Sequence, residues 1–143
     1  MELSKYQNVH KDVRVSEQNI IPYIMDLSEY MSGKVELKPY PNLIFSSDAR
    51  YEKDPFGKTA FYDPERKLIV LYTAGRHIKD VLRSFAHEMI HHNQNITGMF
   101  SKEHHHGLSD PRYAEHDEHL AKMEADAYLR GNMLFRTWDD QYK

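Results

Sequence analysis

The residues best suited to chemistry in this chain are His87, Glu88 and His91, in the run Ser84-Phe85-Ala86-His87-Glu88-Met89-Ile90-His91-His92. Imidazoles four positions apart on an α-helix lie about one turn apart on one face, so both can reach a single metal ion. Glu88 sits roughly 100° round the helix from His87. It cannot ligate in the same way, but it can reach a water held at the ion. Zinc lowers the pKa of such a water to roughly 7, and a carboxylate can take its proton as it attacks a carbonyl. His92 falls off the metal-facing side and is expected either to support the site from behind or to meet solvent.

These spacings carry meaning only on a helix. From about His77 to Gln94, Ile78, Val81, Leu82, Phe85 and Met89 recur as one apolar stripe, and Asp80 near the start suits the helix dipole. A later helix is expected from about Tyr113 to Arg136. An earlier one runs from Asn19 to Ser32, where Ile20, Ile24, Leu27 and Met31 keep helical spacing, Pro22 fits the first turn and Gly33 follows as a stop. Pro39 and Pro41 hold the next stretch extended, and Asn42 to Ser47 reads as a strand. Lys58 to Tyr62 and Lys67 to Thr73 form a hairpin about a type I turn at Asp63-Pro64-Glu65-Arg66. Lys67 to Thr73 is apolar on both faces, which places it centrally, with Lys58 to Tyr62 at the sheet edge. Residues 95–112 read as a loop and residues 1–16 as a loose polar arm before a domain of residues 17–143. The expected architecture is α+β: one domain with a small three-stranded sheet, an active-site helix and a C-terminal helix.

A catalytic metal needs a third protein ligand. Leu120, Met123, Ala127 and Leu134 mark the buried stripe of the last helix, and Glu124 falls within it, with Gly131 two turns on. A carboxylate on an apolar face is costly to bury unless it is paired or bound to metal, so Glu124 is the favoured ligand; a salt bridge across the helix pair is the competing explanation. His119 stands at the boundary of the stripe, and the loop run His104-His105-His106 offers further imidazoles. Asp126, beside Lys122 and Arg130, reads as a solvated ion pair. Glu115, Asp117 and Glu118 are ordinary acidic residues at a helix start, and His116 is a more remote candidate.

With this motif and a glutamate on a later helix, the chain resembles the zincin metallopeptidases of the gluzincin type. The resemblance implies His87, His91 and Glu124 as zinc ligands and Glu88 as general base in peptide-bond hydrolysis. Met123-Glu124-Ala125-Asp126-Ala127-Tyr128 is similar to the Glu-Ala-Asp/Asn stretch of small regulator-cleaving gluzincins. The combination of Gly57-Lys58-Thr59-Ala60-Phe61-Tyr62-Asp63-Pro64, the Gly75-Arg76-His77 helix start, the motif and the terminal helix resembles small metallopeptidase-like proteins of bacteriophages, over roughly residues 40–143. Gln94 and Thr97 stand where a metzincin has glycine and histidine, which excludes that branch. His106-Gly107 imitates the third ligand of a SprT-like zincin, so three-histidine coordination is a rival. Tyr128 occupies the position where a thermolysin-like enzyme has an aspartate. It reads first as a buried aromatic with an exposed tip and second as a hydroxyl turned toward the site. Zincins bind an extended peptide along the edge strand, here Lys58 to Tyr62; Tyr51, Phe56 and Tyr62 are candidates for lining pockets, with core or surface packing the plainer reading of each.

The bulk properties agree with a protein or peptide substrate rather than a nucleic acid. Among 143 residues, 40% are hydrophobic and 29% charged, and the net charge of -3 leaves no basic excess. There is no cysteine, so any metal site must use His, Asp or Glu. The longest apolar run, Leu68 to Tyr72, is too short to span a membrane. The expected location is the cytoplasm, that of a host cell if the chain is virus-encoded, and nothing in the sequence specifies an oligomeric state. A metal-stabilised binding or structural protein without turnover is the reading from another functional class. A structural site would be closed by a fourth ligand such as His119 or a loop histidine, and would have no use for Glu88.

Overall fold

The computed structural model describes residues 17–47, 59–99 and 118–142. The elements in chain order are α1 (Glu17–Ser32), β1 (Asn42–Ser46), β2 (Ala60–Asp63), β3 (Leu68–Tyr72), α2 (Ile78–Ile96) and α3 (Glu118–Asp140). This is the α+β architecture expected from the sequence. The expected N-terminal arm, the start of the last helix at Tyr113, and the pocket candidates Tyr51 and Phe56 lie outside the described residues. No described helix is long and apolar enough to cross a membrane.

The sheet has the order β1-β3-β2, with β1 parallel and β2 antiparallel to β3. The central position of β3 follows from its composition. Ile69, Val70 and Leu71 are all buried, so both faces of the strand are covered. The hairpin differs from expectation by one residue. Asp63 still pairs with Leu68, and its carboxylate accepts from the Glu65 and Arg66 amides at 3.0 and 3.3 Å. Lys67 then takes a left-handed conformation, φ 49°, instead of opening the strand.

Three apolar stripes meet in one core, with α2 between the sheet and the other two helices. Ile20, Ile24, Leu27 and Met31 of α1 are buried, as are Ile78, Val81, Leu82, Phe85 and Met89 of α2. The α1 helix begins two residues earlier than expected, at Glu17, so Pro22 lies inside it and not in its first turn. That first turn forms without the hydrogen bond that the Pro22 nitrogen cannot donate. The third stripe, on α3, runs through Phe135 and continues past Arg136 to Trp138. Trp138 explains the longer helix: it is fully buried, and its indole N–H donates to Asp26 of α1 at 2.8 Å.

α2 starts at a histidine cap. His77 is extended, and its Nδ1 accepts from the Lys79 amide at 3.1 Å. The helix runs past Gln94 to Ile96 and ends at Thr97 and Gly98, the latter at φ 82°. Arg76 ties this start to the sheet, donating to the carbonyls of Thr59, Tyr72 and Asp80 and to the Ser84 hydroxyl.

α2 and α3 approach backbone to backbone at one glycine. A Cβ placed on Gly131 would lie 2.9 Å from Cα and 3.1 Å from N of His87. Backbone atoms cannot yield locally, so any side chain here pushes α3 away from the first histidine of the motif. Gly131→Ala is therefore expected to destabilise the fold by about 1–3 kcal/mol through overpacking, despite the better helix propensity of alanine. Urea denaturation checks this; equal or greater stability of the variant would show that the close approach is not required.

Candidate metal centre

Two faces of α2 do different work. Phe85 and Met89 point into the core, while His87 and His91 point toward α3 and meet Glu124. Nε2 of His87 lies 2.7 Å from one Glu124 oxygen, and Nε2 of His91 lies 3.0 Å from the other. One donor atom from each of the three residues lies within 4.8 Å of the others, and among the described residues this is the group able to hold a metal ion. Tetrahedral ligands at zinc distances of about 2.0–2.1 Å are spaced by roughly 3.3 Å, which lies within the 4.8 Å span of this group. Two imidazoles and one carboxylate, without thiols, are a donor set that zinc accepts. The residues thus fit zinc by donor chemistry and by spacing.

The electrostatics have the same centre. Burial raises the pKa of the Glu124 carboxyl, but hydrogen bonds from His87 and His91 outweigh it and hold the group at about 2. Burial lowers the pKa of His91, and the Glu124 hydrogen bond with the nearby carboxylates more than reverses this, so it is raised. Glu88 is 6% exposed. Desolvation raises its pKa, the two imidazoles pull it down, and Glu124 adds to the rise; the net direction is upward.

Behind His91 stands Gln94, which the spacing alone does not single out as a partner. Oε1 of Gln94 lies 2.9 Å from Nδ1 of His91, and the Gln94 amide nitrogen donates to the Met123 carbonyl and to Asp126 at 2.8 and 2.9 Å. Gln94 thus backs His91 from within the same helix. Its one sequence signal is its place three residues after His91 on the same helix. Asp126 pairs with Arg130 as expected, at 2.6 Å, yet it also faces inward through Gln94. His87 has no equivalent support: its Nδ1 is buried without a hydrogen-bond partner among the described residues.

The other candidates separate cleanly. His92 neither meets solvent nor supports a ligand. It is fully buried, with Nε2 at 2.6 Å from the Pro39 carbonyl and 3.1 Å from that of Leu37, and Nδ1 at 2.8 Å from the Tyr62 hydroxyl. It is expected off the metal face because of its position on the helix; what makes it buried is the 34–41 segment lying over that side. Tyr62 accordingly is no pocket wall: it is buried in this cluster, and desolvation pushes its phenol up to about 12. His119 stands apart from the metal group and donates to the Met99 carbonyl at 2.8 Å. Glu118 is exposed in the first turn of α3. Tyr128, expected to be buried, is 58% exposed, its ring 4.4 Å from that of His87. Burial and the charges of Glu124 and Glu88 raise its pKa. The His104 to His106 run, Glu115, His116 and Asp117 lie outside the described residues.

Comparison of the chain with protein-family models, with curated proteins and with solved structures finds no match.

Two outcomes follow from this geometry. Tyr62→Phe removes the donor to His92 and an acceptor of Asn95, and is expected to destabilise the fold by about 1–3 kcal/mol while leaving metal content unchanged. Urea denaturation and metal analysis together check it, and loss of metal would make His92 part of the site. In the metal-free chain, the stability gap between wild type and Glu124→Gln depends on two titrations. It is full between the ordinary carboxylate and histidine values, 4.5 and 6.5, narrows as pH falls toward about 2, and narrows again as pH rises through the raised His91 value. Denaturation in chelator across this range checks the sign on both sides.

Proposed function

We propose that this chain is a zinc-dependent hydrolase of peptide bonds, with His87, His91 and Glu124 as the metal ligands and Glu88 as general base. The observation that carries the reading is the meeting of two imidazoles from α2 and one carboxylate from α3 beside a buried glutamate. Zinc bound by such a set supplies Lewis acidity, polarising a carbonyl and easing deprotonation of water near neutral pH.

The protein's own groups do the rest. Glu88 follows His87 directly and is withdrawn from solvent, so its carboxylate is more basic than an exposed one. It takes the proton of the attacking water and returns it to the leaving amine. An intact glutamate here favours turnover over a purely structural metal site, which needs no base. β2 is an edge of the sheet and lies against α2, which supports binding of an extended peptide by strand addition.

The test is zinc per chain and peptide turnover in four proteins. Wild type is expected to hold about one zinc, Glu124→Ala to lose it and His106→Ala to keep it. Glu88→Gln is expected to keep zinc and lose about 100-fold or more of its activity on a peptide library. Loss of zinc in His106→Ala with retention in Glu124→Ala would replace the ligand set by three histidines. Equal product from wild type and Glu88→Gln would overturn the enzyme.

A further inference from the structure

Gln94 is an amide whose orientation is set by its surroundings. Its nitrogen faces a backbone carbonyl, Met123 O, and a carboxylate, Asp126. Both can only accept, so the NH2 end must lie there and Oε1 must face Nδ1 of His91. An amide oxygen also only accepts, so Nδ1 of His91 must carry a hydrogen. In the neutral ring the lone pair is then on Nε2, the atom that faces Glu124. A lone pair at 3.0 Å from a carboxylate oxygen is repulsive unless a proton or a cation stands between them. The arrangement presents His91 to a cation through Nε2 and through no other atom.

The chain of contacts continues outward. Asp126 is gripped by Arg130 through both of its carboxylate oxygens, and Arg130 also donates to Asn93 Oδ1 at 3.1 Å. Asn93 in turn donates to the Glu36 carbonyl at 2.8 Å. Asp126 is thus fixed from the far side and cannot follow Gln94 if the amide turns.

We propose that Gln94 is the positioning residue that presents Nε2 of His91 to the metal, and that Asp126 raises metal affinity through it without touching the site. This rests on the metal reading above and adds a determinant of affinity outside the ligand set. Outer partners of metal-bound histidines are generally worth about 10–100-fold in affinity.

Zinc affinity measured by competition with a chromophoric chelator tests it on the full chain. Gln94→Leu is expected to bind zinc about 10–100-fold more weakly than wild type, and Asp126→Ala to show a smaller loss in the same direction. Tyr62→Phe weakens the same helix away from the site and is the control, with wild-type affinity expected. In the zinc-loaded wild type, the Nδ1 proton of His91 should give a protected downfield NMR signal that Gln94→Leu loses. Asp126 is only half-buried, so its variant decides the matter if Gln94→Leu does not fold. Wild-type affinity in both variants would overturn this inference alone; no zinc binding by the unaltered chain would overturn the metal reading and this one with it.

Discussion

A carboxylate cannot lie between two packed helices unless something positive faces it. Glu124 meets that constraint with two imidazoles, one on each of its oxygens. The same constraint acts on the histidines, whose Nε2 atoms are tolerable there only with a proton or a cation. The group is therefore held as a unit, and removing any member leaves an uncompensated partner in a confined space. The approach that makes the unit possible is set seven residues later (131 − 124), where the absence of a side chain on Gly131 lets α3 close on the backbone of His87. The apolar stripes of α1, α2 and α3 supply the attraction, and the glycine supplies the distance.

The second half of α2 is unusual in being polar and buried at once. His91, His92, Asn93 and Gln94 are all buried, and each finds a different partner. His91 faces Glu124, His92 the 34–41 segment and Tyr62, Asn93 the Glu36 carbonyl and Arg130, and Gln94 the α3 backbone and Asp126. Asn95 adds the Pro64 carbonyl. Consecutive residues point about 100° apart, so the helix is bonded on every side within about a turn and a half. Buried polar groups that are fully satisfied specify position far more narrowly than apolar contact does. A segment bonded in this way is held in position from several elements at once.

Much of this was legible as pattern. The stripes of α1 and α2, the central placement of the Leu68–Tyr72 strand and the wrong-faced glutamate on the last helix all follow from period, because side-chain direction repeats with the helix or strand geometry. Element ends were less legible, since they depend on contacts made far away: α3 outruns its expected end because Trp138 finds Asp26, and α2 continues because Gln94 and Asn95 find partners across the fold. Tyr128 was misread for the same reason. Its place next to the buried stripe suggested burial, but the α2–α3 contact leaves it outside, against His87.

The sequence by itself determined the chemistry available: two histidines one helical turn apart, a glutamate beside them, and a second glutamate that apolar neighbours made expensive to leave alone. It determined this because local spacing fixes which side chains share a face. Tertiary structure decided the partners. Only the packing of α3 on α2 joins Glu124 to both histidines and orients Gln94 through Met123 and Asp126, and only the 34–41 segment and β2 bury His92 with Tyr62. Those assignments depend on distances between residues more than twenty-five positions apart (His91 to Glu124, 124 − 91 = 33; Tyr62 to His92, 92 − 62 = 30). No periodicity along the chain encodes such distances; the helix crossing and the glycine at its closest point do.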